Sequence, residues 1–123
     1  MGKEAILMDA HTLPNKQFAF YYLNRLNDQN LITDEMLSSL SCRDFCRQKF
    51  NCSSFPILME VPMDCSEEEL KKLCHIGFKR RYYQERIRIR NRSFVVTNHW
   101  YGPNKSMPDN RTPFEQWATY ILK

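Results

Sequence analysis

The sequence predicts an α+β fold in which a small antiparallel sheet packs on N-terminal helices and a C-terminal helix. Residues 79–101 alternate between apolar and basic or polar side chains, which is typical of the two strands of a β-hairpin. Residues near both ends of the chain instead repeat apolar side chains at helical spacing. A chain of 123 residues with 13% aromatic content is large enough to bury one core, so we expect a single globular domain over residues 1–123.

The N-terminal segment predicts a short strand followed by the longest helix. Residues 4–10 (EAILMDA) favour an edge strand. Pro14 suits the first turn of a helix, because the N–H that proline lacks has no helical partner at that position. Apolar side chains then recur on several faces up to about Asn30, which indicates a central helix with neighbours on more than one side.

Two short helices are predicted next. Thr33 is placed to cap a helix over residues 34–40, and Ser41 to cap a helix over residues 42–50. Their tight connection matches a helix-turn-helix, in which the second short helix presents a secondary basic patch of Arg43, Arg47 and Lys49. Because only serine is found where that turn usually has glycine, we favour the simpler interpretation of packed helices with solvated basic side chains.

The middle of the chain predicts a further strand and helix. A strand over residues 56–61 is bounded by Pro56 and Pro62, which suits strand ends or an edge position. Ser66, with Glu69 three residues later, forms the capping box of the next helix. We expect Gly77 to end this helix in the left-handed conformation, with Phe78 folded back onto it.

The end of the chain predicts a loop and a last helix. Residues 102–111 are rich in turn-forming residues and predict a mobile loop. Thr112 is the expected N-cap of the C-terminal helix, and Pro113 suits its first turn. This helix has one apolar stripe, formed by Phe114, Trp117, Ala118 and Ile121.

The predicted β-hairpin turns at Asn91–Arg92, so that Arg90 lies opposite Ser93. Strand alternation then divides its side chains between two faces. One face, expected to cover the core, carries Tyr83, Ile87, Ile89, Phe94, Val96 and Trp100. The other face carries Tyr82, Arg86, Arg88, Arg90, Thr97, His99 and Tyr101.

The second face predicts binding to an anionic partner, with nucleic acid as the leading interpretation. Residues 79–92 contain seven basic side chains and one acid, hence a charge of +6 in a chain whose total is +4. Guanidinium groups match phosphate oxygens, and tyrosine or histidine rings stack on unpaired bases. We therefore expect DNA or RNA to contact Arg80, Tyr82, Arg86, Arg88, Arg90, Arg92, His99 and Tyr101.

Two other interpretations of this face stay open. Charge on the outer face of a sheet also prevents aggregation, without any partner. Alternatively, the protein is a small regulator or inhibitor whose basic face docks an acidic partner protein. Glu85 is predicted to lie on the apolar face, opposite Asn98, so no acid falls on the basic face. This absence of acids favours a partner. A position near the end of the sheet, beside solvent or an arginine, explains Glu85 most simply.

Catalysis, metal binding and membrane association are not expected. The sequence lacks the short motifs of the common hydrolases, nucleotide-binding enzymes and zinc proteases, so we expect neither enzymatic activity nor a cofactor. Cys42, Cys46 and Cys52 are spaced C-x3-C-x5-C, which matches no strong zinc pattern. With five cysteines, no secretory signal and no long apolar stretch, the sequence predicts a cytoplasmic protein with reduced thiols.

Overall fold

The computed structural model describes residues 12–122, which form five α-helices and five short β-strands. The helices are α1 (Asn15–Asp28), α2 (Asp34–Leu40), α3 (Arg43–Phe50), α4 (Glu67–Cys74) and α5 (Arg111–Leu122). The strands are β1 (Leu58–Val61), β2 (His75–Ile76), β3 (Lys79–Arg80), β4 (Ile87–Ile89) and β5 (Arg92–Val96). The strand expected over residues 4–10 lies outside the described residues. None of the described helices has both the length and the apolar character needed to cross a membrane.

Strands β1, β5 and β4 form an antiparallel sheet with β5 at its centre. One face of this sheet packs on the main core, to which α1 contributes Phe18 and Tyr22 and α5 contributes Phe114. Trp100, at 2% exposure, belongs to the same core, as predicted. The predicted α+β class, with helices from both ends of the chain packed on one sheet, is therefore confirmed.

Helix α5 is fixed by its first turn and by one aromatic side chain. The Thr112 N–H donates a hydrogen bond of 2.9 Å to Asp109 Oδ1, so Asp109 provides the side-chain cap that was predicted for Thr112. Phe114 is fully buried at the centre of an aromatic cluster. Its ring centroid lies 5.1 to 6.3 Å from those of Phe18, Tyr22, Phe50, Trp100 and Trp117.

Side-chain caps begin two other helices as the sequence predicts. Thr33 Oγ1 accepts a 3.1 Å hydrogen bond from the Met36 N–H. Ser66 and Glu69 form both bonds of a capping box, at 3.1 and 2.9 Å. Helix α3 differs, because its N-cap is Cys42 and that side chain makes no capping bond, so the cap predicted at Ser41 is wrong.

The β4–β5 hairpin turns at Arg90–Asn91, one residue earlier than predicted. Both residues have positive φ angles, 52° and 61°, as in the two-residue turns whose twist matches that of the strands. Ile87 pairs with Phe94, so the predicted pairing is displaced by two residues. A displacement of two preserves the alternation of faces. The main core therefore still receives the expected side chains, Ile87, Ile89, Phe94 and Val96.

Helix α4 covers part of the second face of the sheet. Val95 and Tyr82 belong to a second cluster of buried residues, which also contains Val61 and, from α4, Leu70 and Cys74. The prediction that this face is open to solvent or to anions is therefore wrong at its centre. The composition of β5 gives the reason, because its last three residues are all apolar, as in strands buried on both faces.

A second hairpin, formed by β2 and β3, follows α4. Ile76 pairs with Lys79, so Gly77 and Phe78 form a two-residue turn. Gly77 has a φ of +70°, which L-amino acids rarely adopt. Because α4 already ends at Cys74, Gly77 does not cap it as predicted. Phe78, predicted to fold back onto the helix, is instead 104% exposed.

The segment between Tyr82 and β4 leaves the sheet. Tyr82 forms an isolated antiparallel bridge with Thr97, and regular pairing resumes only at Ile87. Glu85 lies in this irregular stretch with its side chain 54% exposed, and its carboxylate is 2.7 Å from Lys16 Nζ. Its predicted place on the apolar face is therefore wrong, although the simpler expectation of a solvent-accessible carboxylate is confirmed, with a lysine beside it.

Candidate nucleic-acid interface

The arginines of the β4–β5 hairpin do not form the predicted row. Arg86 precedes β4, Arg88 lies within it, and Arg90 lies in the turn. The Arg86 side chain reaches across to the start of α4, where it donates to the Cys65 carbonyl oxygen and lies 3.7 Å from the Glu67 carboxylate. Arg88 is exposed and forms no salt bridge with an acid among residues 12–122.

Two arginines near the turn are paired with acids from neighbouring elements. Arg90 Nε lies 3.0 Å from Asp34 Oδ1 at the start of α2. Arg92 donates two hydrogen bonds, of 3.0 and 2.8 Å, to the carboxylate of Glu60 in β1. This pairing lowers the pKa of the Glu60 carboxyl group. These ion pairs were not predicted from the sequence, because the two acids come from distant segments of the chain.

The aromatic residues predicted to contact nucleic acid do not share an open face. Tyr82 packs with Val95 on the second face, as predicted, but α4 covers that face there and Tyr82 is only 2% exposed, so its ring is closed to a partner. His99 is half-buried, with Nε2 3.3 Å from Arg81 Nη1. Burial, and then the charges of Arg81 and Lys79, lower the pKa of His99 and so disfavour the charged form of the ring. Tyr101 is also half-buried, and its N–H donates to Asn110 Oδ1 at 2.7 Å.

The secondary basic patch is exposed on α3. That helix packs against α2 and α5 and contributes Cys46 and Phe50 to the main core. Arg47 donates to the Ser53 carbonyl oxygen at 3.4 Å. Arg43 lies 4.0 Å from Asp44. Lys49 is exposed in the last turn of the helix. Arg43 and Arg47 share one side of α3, whereas Lys49 lies on another side, and none of the three belongs to either hairpin.

A further group of exposed cations surrounds the β2–β3 hairpin. We call it the hairpin-tip surface, and it consists of Lys71, Lys72, Ile76, Phe78, Lys79 and Arg80. The two lysines of α4 line an open cleft of about 460 Å³, together with Glu68, His75 and Gly77. Lys79 and Arg80 lie directly across the hairpin from Ile76 and His75. None of the four cations forms a salt bridge with an acid in the described part of the chain.

The hairpin-tip surface is anchored on the second core. Cys74 and Tyr82, on either side of the hairpin in the sequence, are both buried there. The Arg81 N–H donates to the Cys74 carbonyl oxygen at 2.8 Å, which closes the base of the hairpin. His75 Nδ1 lies 2.7 Å from the Lys71 carbonyl oxygen, which ties the hairpin to α4. The exposed side chains are therefore presented from a fixed backbone.

Sequence reasoning included Arg80 among the contact residues but missed the rest of this surface. The available signal was the Gly-Phe pair, because glycine at the first position of a two-residue loop is typical of a hairpin turn. Glycine is equally typical of the residue after a helix, and the preceding helix made that interpretation attractive. If Gly77 ends the helix, Phe78 is expected to fold back onto it. If Gly77 begins a hairpin turn, as the structure has it, Phe78 lies at the exposed tip.

The cysteines are all free thiols, and Cys46, Cys52 and Cys74 are buried. Cys46 and Cys52 are neighbours, and the hydrogen bond between their thiols raises the pKa of Cys46 and lowers the pKa of Cys52. Within residues 12–122, no group of three or more His, Cys, Asp or Glu side chains is arranged to hold a metal ion.

Comparison with known proteins assigns no family to this chain. No protein-family model matches it, and no curated protein or solved structure is significantly similar to it. The fold and the surface define a small α+β domain with cations exposed around one hairpin. Any statement about function therefore depends on the chemistry of that surface.

Proposed function

We propose that this protein is a non-enzymatic module that binds nucleic acid through the hairpin-tip surface. The observation that carries the proposal is the grouping of Lys71, Lys72, Lys79 and Arg80 around one hairpin, without a salt bridge to any acid among residues 12–122. Side chains of this kind neutralise phosphates and release condensed counterions, which drives association.

The hairpin-tip surface fits this role better than the β4–β5 hairpin does. A phosphate that approaches Arg92 must displace Glu60 from two hydrogen bonds and then remain close to its negative charge. Asp34 opposes an approach to Arg90 in the same way. Lys79 and Arg80 need no such displacement, so their full charge is available to a partner.

The proposal is tested by a double substitution, Lys79→Gln with Arg80→Gln, and a matched control, Arg90→Gln with Arg92→Gln. Both remove two positive charges, but the control removes charges that are already paired. Binding is measured by fluorescence anisotropy on generic duplex DNA and on single-stranded RNA at several salt concentrations. The first variant should bind more weakly and flatten the log–log salt dependence by about 1.4–1.8 units, whereas the control should change it less.

Two results overturn the proposal. Equal losses in the two variants mean that only the total charge matters, so the hairpin-tip surface is not the site. An absence of salt-sensitive binding by the parent protein, on either nucleic acid, removes nucleic acid as the partner. Thermal unfolding of both variants shows whether each retains the fold.

The second candidate function is a module that docks an acidic partner protein. It is favoured by Leu73 and Ile76, which are 41% and 43% exposed beside the same cations, because aliphatic side chains gain little from a phosphate backbone. The protein purified without nuclease distinguishes the two functions. Co-purifying nucleic acid, seen as a raised ratio of absorbance at 260 to that at 280 nm, supports the first. A clean ratio with early elution from heparin supports the second.

A further inference from the structure

We infer that Phe78 is a stacking platform for an unpaired base, so that the nucleic acid bound at the hairpin-tip surface is single-stranded. This inference rests on the proposed function and deepens it. The Phe78 side chain is 104% exposed, against 75% for Tyr120 and 47% for Met63, the next most exposed large apolar residues described. A phenyl ring left wholly in water adds nothing to the packing of the fold, and a planar partner would bury it.

The turn presents this ring in a defined position. Gly77, with its φ of +70°, lets the chain reverse within two residues, and pairing of Ile76 with Lys79 closes the turn. The buried residues Cys74 and Tyr82 hold the two ends of the hairpin. Because its backbone is already ordered, Phe78 loses little conformational freedom when a partner covers it.

The charges around the ring determine which planar partner fits. Lys79 and Arg80 follow Phe78 directly, and the lysines of α4 line the cleft beside Gly77. A nucleotide offers an aromatic face for the ring and a phosphate for the cations at the same time. An exposed aromatic side chain among cations is the arrangement by which proteins hold single strands.

Base stacking excludes the interior of a duplex from the same contact. Inside a duplex both faces of a base are already covered by its stacked neighbours, so a ring can enter only after these are unstacked. An unpaired base in a single strand has a face available without that cost. The hairpin-tip surface should therefore bind both forms through its charges, but only single strands through Phe78.

Three substitutions of Phe78 test this assignment, each measured on oligo(U) RNA, oligo(dT) DNA and a duplex DNA of equal length. Phe78→Ala should weaken binding to the single strands about 5- to 150-fold and leave duplex binding unchanged. The salt dependence should keep the slope of the parent, because no charge is lost. Phe78→Trp should restore the single-strand affinity, whereas the equally apolar but non-aromatic Phe78→Leu should not.

The outcomes separate this inference from the proposed function. If the parent binds nucleic acid with a steep salt dependence and Phe78→Ala binds single strands equally well, the inference is wrong and the proposed function stands. If Phe78→Leu binds as tightly as the parent, the ring makes only an apolar contact, and the stacking assignment fails. If the parent binds neither nucleic acid but binds phosphatidylserine vesicles in a way that depends on Phe78, both are overturned.

Discussion

The hydroxyl group of Tyr22 donates a 2.7 Å hydrogen bond to the Glu115 carboxylate, which joins α1 to α5 inside an aromatic cluster. Tyr22 is fully buried. Its pKa is raised above the usual value by burial and then by this hydrogen bond. The two ends of the described chain are therefore held together by a specific polar contact as well as by apolar packing.

Replacing Tyr22 with phenylalanine should remove this contact without opening a cavity. A hydrogen bond to a charged group contributes about 1.5–3 kcal/mol to stability, so Tyr22→Phe should lower the free energy of unfolding by an amount in that range. Urea denaturation followed by circular dichroism measures the change. Tyr120→Phe on α5 is the matched control, because that ring is 75% exposed, and equal effects of the two substitutions would contradict this account.

Truncation to alanine should lower the stability of the protein strongly at Phe94 and hardly at all at Phe78. Phe94 is fully buried in the main core, so Phe94→Ala should cost about 3–5 kcal/mol, a large fraction of the stability of a small domain. Phe78 is fully exposed, so Phe78→Ala should leave the melting temperature nearly unchanged. Thermal unfolding of the two variants checks both statements, and a stable Phe94→Ala variant would show that the sheet does not face the core in this way.

The turn of the β4–β5 hairpin can be tested at Asn91. Its φ of 61° is tolerated by asparagine and glycine but disfavours a β-branched side chain. Asn91→Val should therefore destabilise the protein by about 1–2 kcal/mol, whereas Asn91→Gly should be neutral or slightly stabilising. Chemical denaturation of the pair gives the comparison. If valine is tolerated as well as glycine, the turn does not lie at Arg90–Asn91.

Stability at alkaline pH should depend on Tyr82. Burial raises the pKa of Tyr82 to about 12, from 10.0 for an exposed tyrosine. Between these values the unfolded chain loses the phenolic proton while the folded chain keeps it, so stability falls as the pH rises. The free energy of unfolding of Tyr82→Phe should therefore fall by about 2 kcal/mol less than that of the parent between pH 8 and pH 12. Denaturation midpoints over this pH range measure the difference, with Tyr120→Phe as the control. A parallel decline of the parent and Tyr82→Phe would contradict this explanation.

The fold was predictable where one local rule acted alone. The capping residues Thr33 and Ser66 fixed the starts of two helices, because nothing else in those segments competes for the first-turn N–H groups. The faces of β4 and β5 were also correct despite the displaced turn. Side chains alternate between the two faces every residue, so displacing the strand pairing by two residues leaves each side chain on its predicted face. Ile87 and Phe94 therefore face the core in either register.

The candidate site was less predictable, because it depends on contacts between distant segments. Asp34 and Glu60 neutralise Arg90 and Arg92 from other elements, and no local pattern in the hairpin shows this. The burial of the second face of the sheet beneath α4 was predictable in part from the sequence of β5. Unbroken apolar character in the last three residues of β5 indicates burial on both faces, but only the fold shows that Leu70 provides the cover.

Strand β5 has a neighbour on each edge and a core on each face, since Phe94 packs in the main core and Val95 in the second one. Opening of a single helix, or of the β2–β3 hairpin, leaves the ladder hydrogen bonds of β5 in place. Hydrogen–deuterium exchange of these amides should therefore require opening of the sheet itself, and their protection factors should approach the full free energy of unfolding. The β2–β3 hairpin, which carries Phe78, forms a separate sheet, so its amides should exchange sooner, through brief openings that leave β5 closed.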